Sequence, residues 1–277
     1  MPSIVVDTET VKDIPVSTIH QEGCEGAPLV LYIHGYGANK EQGIFFGIQM
    51  ARRGLFFVSF DAVMHGERFD PRVEKVRTGN GENVYPEQTG LDTFFLMHEV
   101  IVSTNQDVRD LITHYEPDQR VNANMVGLTG FSMGGVAVFY NLAVNPRIKA
   151  GVSIAGVPSF EERWNDVVLE TSTYQKWAEA LSALSDETEG RRKYLREHDP
   201  VRSMDSFPPR PLLMLCGDLD LDSPKKYMVD FYRDIRSLYQ HQPRRIRLSI
   251  HDEVGHHLTG SMIQEAGDWF ERYLLRD

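Results

Sequence analysis

Gly127-Leu128-Thr129-Gly130-Phe131-Ser132-Met133-Gly134-Gly135 overlaps the end of an apolar run, Met125 to Thr129, and leads into a stretch of helical periodicity from Met133 to Asn145. In that context a G-x-S-x-G pattern reads as a sharp strand-to-helix turn that lifts a serine hydroxyl above a sheet. Such a turn forces a strained backbone on the serine, and small residues at Gly130 and Gly134 let the chain segments approach closely. Ser132 is therefore a candidate nucleophile. The same turn puts the Met133 N–H at a helix N-terminus, where it can stabilise developing negative charge. A glycine-rich turn that only packs a helix on a sheet is the alternative, and it leaves the remaining motifs unexplained.

Outward from this turn, short apolar runs recur at Leu29 to Ile33, Phe56 to Phe60, Ala150 to Ile154, Leu212 to Cys216 and Ile246 to Ile250. Helical periodicity follows them from about Glu41 to Arg53, Phe94 to His114, Pro224 to Tyr239 and Thr259 to Leu275. Alternation of this kind predicts an α/β protein with a mostly parallel sheet covered on both faces. Pro224 suits a first helical turn, where its missing N–H costs nothing. Ser3 to Gln21 reads as one or two antiparallel edge strands. Asp70 to Asp92 is polar and glycine-rich, as a long surface loop near a site would be. Val157 to Phe207, with Trp164, Tyr174, Trp177 and Tyr194, is long enough for two or three inserted helices and is expected to cap the site. The expectation is one domain over 1–277 with an insertion at 157–207.

Bulk composition agrees. The 277 residues are 41% hydrophobic and 25% charged, and a formal charge of −11 argues against a phosphate-tracking nucleic-acid binder. A chain of this size buries about 75% of its unfolded surface and needs no staple. Its two cysteines, Cys24 and Cys216, make neither a disulfide framework nor a metal site. The N-terminus lacks a basic region followed by a long apolar one, and no run reaches membrane-spanning length, so a cytoplasmic protein without membrane partners is expected. No metal or organic cofactor is implied.

Three further segments supply candidates. Leu29 to Ile33 runs into His34-Gly35-Tyr36-Gly37, where the residue after His-Gly is expected to donate a backbone N–H to an oxyanion, so Tyr36 joins Met133 as an oxyanion donor. His34 is expected to hold the loop. A serine hydroxyl needs a positioned base, and Gly255-His256-His257 lies after the last strand and before the last helix. His256, directly after the glycine, is chosen, with His257 as the alternative. For the acid, Gly217-Asp218-Leu219-Asp220-Leu221-Asp222 offers three carboxylates; Asp220 is preferred, Asp218 is the runner-up, and Asp222 is suited to capping the helix at Pro224.

In this order the segments resemble the small bacterial carboxylesterases of the dienelactone hydrolase and prolyl oligopeptidase branch of the α/β-hydrolase superfamily. The resemblance covers nearly the whole chain. It is carried by Ile33-His34-Gly35-Tyr36, Phe60-Asp61-Ala62-Val63-Met64-His65-Gly66-Glu67-Arg68, Gly130-Phe131-Ser132-Met133-Gly134-Gly135, Lys149-Ala150-Gly151-Val152-Ser153, Gly217-Asp218-Leu219-Asp220 with Pro224, and Gly255-His256. It implies an α/β-hydrolase fold with a central sheet of about eight strands, a helical cap, structural roles for His65 and Arg68, and Asp220 as the acid. Dienelactone hydrolases themselves use cysteine where Ser132 stands, so their reaction is not carried over. Prolyl oligopeptidases place a propeller before this domain, and only a few residues precede the first strand here. Haloalkane dehalogenases and epoxide hydrolases use an aspartate nucleophile.

The expected function is hydrolysis of a small-molecule carboxylic ester of short to medium acyl chain through an acyl-enzyme. Thioester hydrolysis, acyl transfer and amide cleavage are alternatives on the same residues, and a non-catalytic binding protein is the alternative of another class. A homodimer is compatible with apolar exposure on the insertion.

Overall fold

The computed structural model describes residues 2–73, 76–77, 83–84, 90–172 and 185–276. Tyr174 and Trp177 of the expected cap, and parts of the polar stretch before Asp92, lie outside the described residues. The strands are β1 (Ile4–Val11), β2 (Ile14–Gln21), β3 (Ala27–Ile33), β4 (Phe56–Phe60), β5 (Val76–Arg77), β6 (Asn83–Val84), β7 (Val121–Phe131), β8 (Ile148–Ile154), β9 (Leu212–Gly217) and β10 (Ile246–His251). The α-helices are α1 (Ile44–Ala51), α2 (Gly90–Tyr115), α3 (Met133–Val144), α4 (Phe160–Ser172), α5 (Ser185–Glu197), α6 (Lys225–Ile235) and α7 (Gly260–Phe270).

Eight strands form one sheet in the order β1-β2-β4-β3-β7-β8-β9-β10. β2 runs antiparallel to both neighbours, and every other pairing within this sheet is parallel. β3 shows why its sequence is apolar without alternation. Leu29, Leu31 and Ile33 join the core under α2, α3 and α6, whereas Val30 and Tyr32 join the core under α1 and α7. Side chains alternate along a strand, so burial on both faces demands an unbroken apolar run.

Two boundaries differ from the sequence reading. β2 is an interior strand, buried from Ile14 to His20, and β1 alone forms that edge. Its polar residues are accommodated in that interior place: His20 stacks on Phe56 at 4.9 Å and contacts Arg120 at 3.2 Å. α2 begins at Gly90, four positions early, which shortens the loop that precedes it. Pro224 stands one residue before α6 as its cap.

Between β8 and β9 lie α4, α5 and a 3-10 segment, Pro200–Ser206. They are fastened to the body through α2. Trp164, 1% exposed, packs against Phe94 and Phe95, and Phe95 meets Tyr194 of α5. Glu161 on α4 receives Arg192 and Arg196 of α5 and Arg202 of the 3-10 segment. Among the described residues no helix is long and apolar enough to cross a membrane.

Candidate active site

Ser132 joins β7 to α3 with φ 57 and ψ −115, a left-handed conformation that a serine adopts only when its surroundings enforce it. The enforcement is steric. A Cβ added at Gly134 would lie 1.8 Å from the Ile33 carbonyl oxygen, and one at Gly130 would lie 2.5 Å from the Gly134 backbone. α3 can thus start against the end of β3 only if both positions lack side chains. We expect Gly134→Ala to lower stability by roughly 1–3 kcal/mol, the usual cost of overpacking, read as a drop in the denaturant midpoint. An unchanged midpoint would contradict the close approach.

The hydroxyl of Ser132 lies 2.8 Å from His256 Nε2, and His256 Nδ1 lies 2.9 and 3.0 Å from the two oxygens of Asp220. Asp220 is 4% exposed and its Oδ1 also accepts the Ser223 N–H at 2.8 Å. A carboxylate only accepts, so Nδ1 carries a proton and Nε2 is left to accept from the serine. The competing candidates face elsewhere. Asp218 accepts the Val254 N–H at 3.3 Å, Asp222 is exposed, and so is His257. The loops carrying Asp220 and His256 interlock where a Cβ on Gly217 would lie 2.0 Å from the Val254 carbonyl oxygen.

On the other side of Ser132 comes the loop after β3. A Cβ on Gly35 would lie 3.6 Å from that of Ser132, so Tyr36 follows directly beside Ser132. The Gly35 N–H is committed to Gln42 Oε1 at 2.8 Å. Met133 opens α3, and the first N–H groups of a helix have no acceptor within it. His34 is fully buried; its Nδ1–H donates to the Gly35 carbonyl at 2.8 Å and its Nε2 accepts the Ala62 N–H at 3.1 Å. The ring therefore bridges the β3 and β4 loops as a neutral spacer. His65 donates Nδ1–H to the Val63 carbonyl and packs its ring against His34 and Tyr36. Arg68 joins Asp107 of α2 to the Asp61 carbonyl, fixing the same loop.

A cavity of about 160 Å³ opens beside Ser132 and Met133. Its wall includes Phe94, Met97 and His98 of α2, Val157 and Arg163 from the insertion, and Ser223. Sequence reasoning did not single out these residues. The α2 side chains recur with the spacing of an ordinary core face, and nothing local distinguishes a core face from a cavity wall. His98 is 2% exposed and donates Nδ1–H to the Phe94 carbonyl at 2.8 Å.

Burial holds the pKa of His34 down at about 3, with His65 adding to the effect; it holds that of His98 at about 4 and also lowers that of His65. In each case the folded state excludes a proton that the unfolded chain accepts near pH 6.5. Their contribution is therefore complete above about pH 6.5 and is lost as the pH falls toward the folded values. We expect the denaturant midpoint to decline between pH 7 and pH 5, before most carboxylates titrate, with a slope of up to about 1.4 kcal/mol per pH unit for each ring. A flat profile over that interval would oppose neutral burial of these rings.

The chain is 26% identical over 273 residues to "Putative esterase YitV" of Bacillus subtilis (strain 168), covering 98% of this chain and 100% of that protein. Among solved structures it is similar to TT1662 from Thermus thermophilus, with a TM-score of 0.70 and 18% identity, covering 99% of this chain and 100% of that one. Acetyl xylan esterase 1 from Thermoanaerobacterium sp. JW/SL YS485 superposes with a TM-score of 0.64 at 18% identity, over 99% of this chain and 88% of that one. No protein-family model matches the chain. The sheet order, its one antiparallel interior strand, the helices on both faces and these structural likenesses give the chain the α/β-hydrolase fold.

Proposed function

We propose that the chain is a serine hydrolase that cleaves carboxylic esters of small acyl groups through an acyl-enzyme. The observation that carries the reading is the unbroken hydrogen-bonded chain from Ser132 Oγ through His256 to Asp220, set on a strained turn beside a cavity. Likeness to proteins named as esterases supports the same class of reaction.

Ser132 Oγ attacks the ester carbonyl while His256 Nε2 takes its proton. Asp220 keeps the proton of the resting ring on Nδ1 and stabilises the imidazolium that forms. The N–H groups of Met133 and Tyr36 receive the oxyanion, a preorganised interaction of roughly 3 to 4 kcal/mol per donor in the transition state. His256 then returns the proton to the departing alcohol. In the second half, it draws a proton from water as the water attacks the acyl-serine, releasing the acid and restoring the hydroxyl. In this reading 157–207 acts as the cap, since Val157 and Arg163 form part of the cavity wall.

The cavity is smaller than the roughly 300–1,000 Å³ of pockets for drug-sized ligands, so short acyl groups are expected. Hydrolysis of para-nitrophenyl esters from acetate to laurate tests the reading. Turnover should be greatest between acetate and butyrate and at least about tenfold lower by octanoate, a methylene or two being worth tens-fold where a pocket runs out. An organophosphonate probe should label Ser132. Absence of both hydrolysis and labelling would overturn the proposal.

A further inference from the structure

His98 presents chemistry that ester cleavage itself does not use. Its Nδ1 lies 2.8 Å from the Phe94 carbonyl, and a carbonyl can only accept, so the ring proton sits on Nδ1 and Nε2 is a hydrogen-bond acceptor. The ring is held by aromatic neighbours, edge-on to Phe160 at 4.6 Å and beside Phe94 at 4.3 Å. It forms part of the wall of the cavity beside Ser132, together with apolar Met97, Val136 and Val157. Burial keeps it neutral, so it does not become a donor at ordinary pH.

Among the described residues, the polar groups on that wall other than Ser132 are less selective. Asp222 is exposed, and Arg163 is half-buried with its guanidinium over the Tyr227 ring, so water reaches both. Ser223 carries a hydroxyl that both donates and accepts. His98, 2% exposed, is the acceptor that an incoming acyl group would strand. A plain alkanoyl chain would strip water from the cavity and leave Nε2 unpaired, at a cost of roughly 1–3 kcal/mol.

We propose that the acyl portion of the substrate bears a hydroxyl that donates to His98 Nε2, so that the preferred substrates are hydroxyacyl esters rather than simple alkanoyl esters. This rests on the reading of Ser132 as the nucleophile of ester hydrolysis. A site built around such a bond discriminates against the analogue that lacks the donor, because the buried partner is then left unsatisfied.

The test compares para-nitrophenyl butyrate with its 2-hydroxy and 3-hydroxy counterparts, each rate being divided by that of hydroxide hydrolysis of the same ester. In the wild type, one hydroxybutyrate should exceed butyrate in corrected kcat/KM by about 10- to 100-fold. In His98→Phe, which removes the acceptor, the ratio should fall to within about threefold, and His98→Gln, which keeps one, should restore part of it. Equal corrected rates in the wild type, or a preference that survives in His98→Phe, would overturn the inference. Butyrate cleavage that depends on Ser132 but shows no preference would reject the role of His98 alone. No cleavage of any ester together with no organophosphonate labelling would reject the parent reading as well.

Discussion

Replacing Ser132 with alanine should lower kcat on a short para-nitrophenyl ester by about four to six orders of magnitude, the loss typical when a triad serine is removed. The size follows from what remains. His256 would still lie on Asp220, and the backbone donors at Met133 and Tyr36 would persist, but no oxygen would be placed to form the acyl bond. Residual turnover would reflect water held in a polarised pocket, which still outpaces bulk solution by about 10³–10⁴. Stability should hold or improve, because alanine removes no buried partner other than the His256 contact. Stopped-assay kinetics together with a denaturation curve check both parts; a fall of less than a hundredfold would mean that another residue supplies the nucleophile.

Asp220→Asn should cost about 10⁴ in kcat, the penalty observed when the orienting carboxylate of a serine triad becomes an amide. The structure indicates why the substitution cannot be neutral. The Ser223 N–H donates to Oδ1 at 2.8 Å, and the Oδ1 of asparagine would stay there. The amide NH₂ would then face His256 Nδ1 and donate to it, which forces the ring proton onto Nε2. A ring in that tautomer donates to Ser132 instead of accepting from it. Asp218→Asn provides the contrast, since Asp218 faces the Val254 N–H and lies off the relay; its loss should stay below about tenfold. Comparable losses in the two variants would reject the assignment of the acid.

The two variants also mark where the sequence was readable. β3, β4, β8 and β9 were visible because strands buried on both faces have little choice of residue. The turn at Ser132 was visible because its steric demands write glycine at fixed offsets. The acid loop was only partly legible, since three alternate aspartates share one composition and their directions depend on contacts with the loop after β10. β1 and β2 were read together as an edge because their hairpin is local, whereas the interior place of β2 depends on its pairing with β4 some forty residues later. His98 was hidden for a related reason. A helix face announces that it is buried, whereas the shape of the space it faces is decided by Val157 and Arg163, some sixty residues later.

The pairing of β9 with β10 carries a mechanical consequence. Asp220 and His256 follow adjacent parallel strands in continuous register, Cys216 opposite Ile250 and Gly217 opposite His251, and their loops interlock at Gly217. Ser132 hangs from β7, two strands away, with β8 between. Displacement of the β10 edge would therefore move Asp220 and His256 together relative to Ser132, which they meet only across β8.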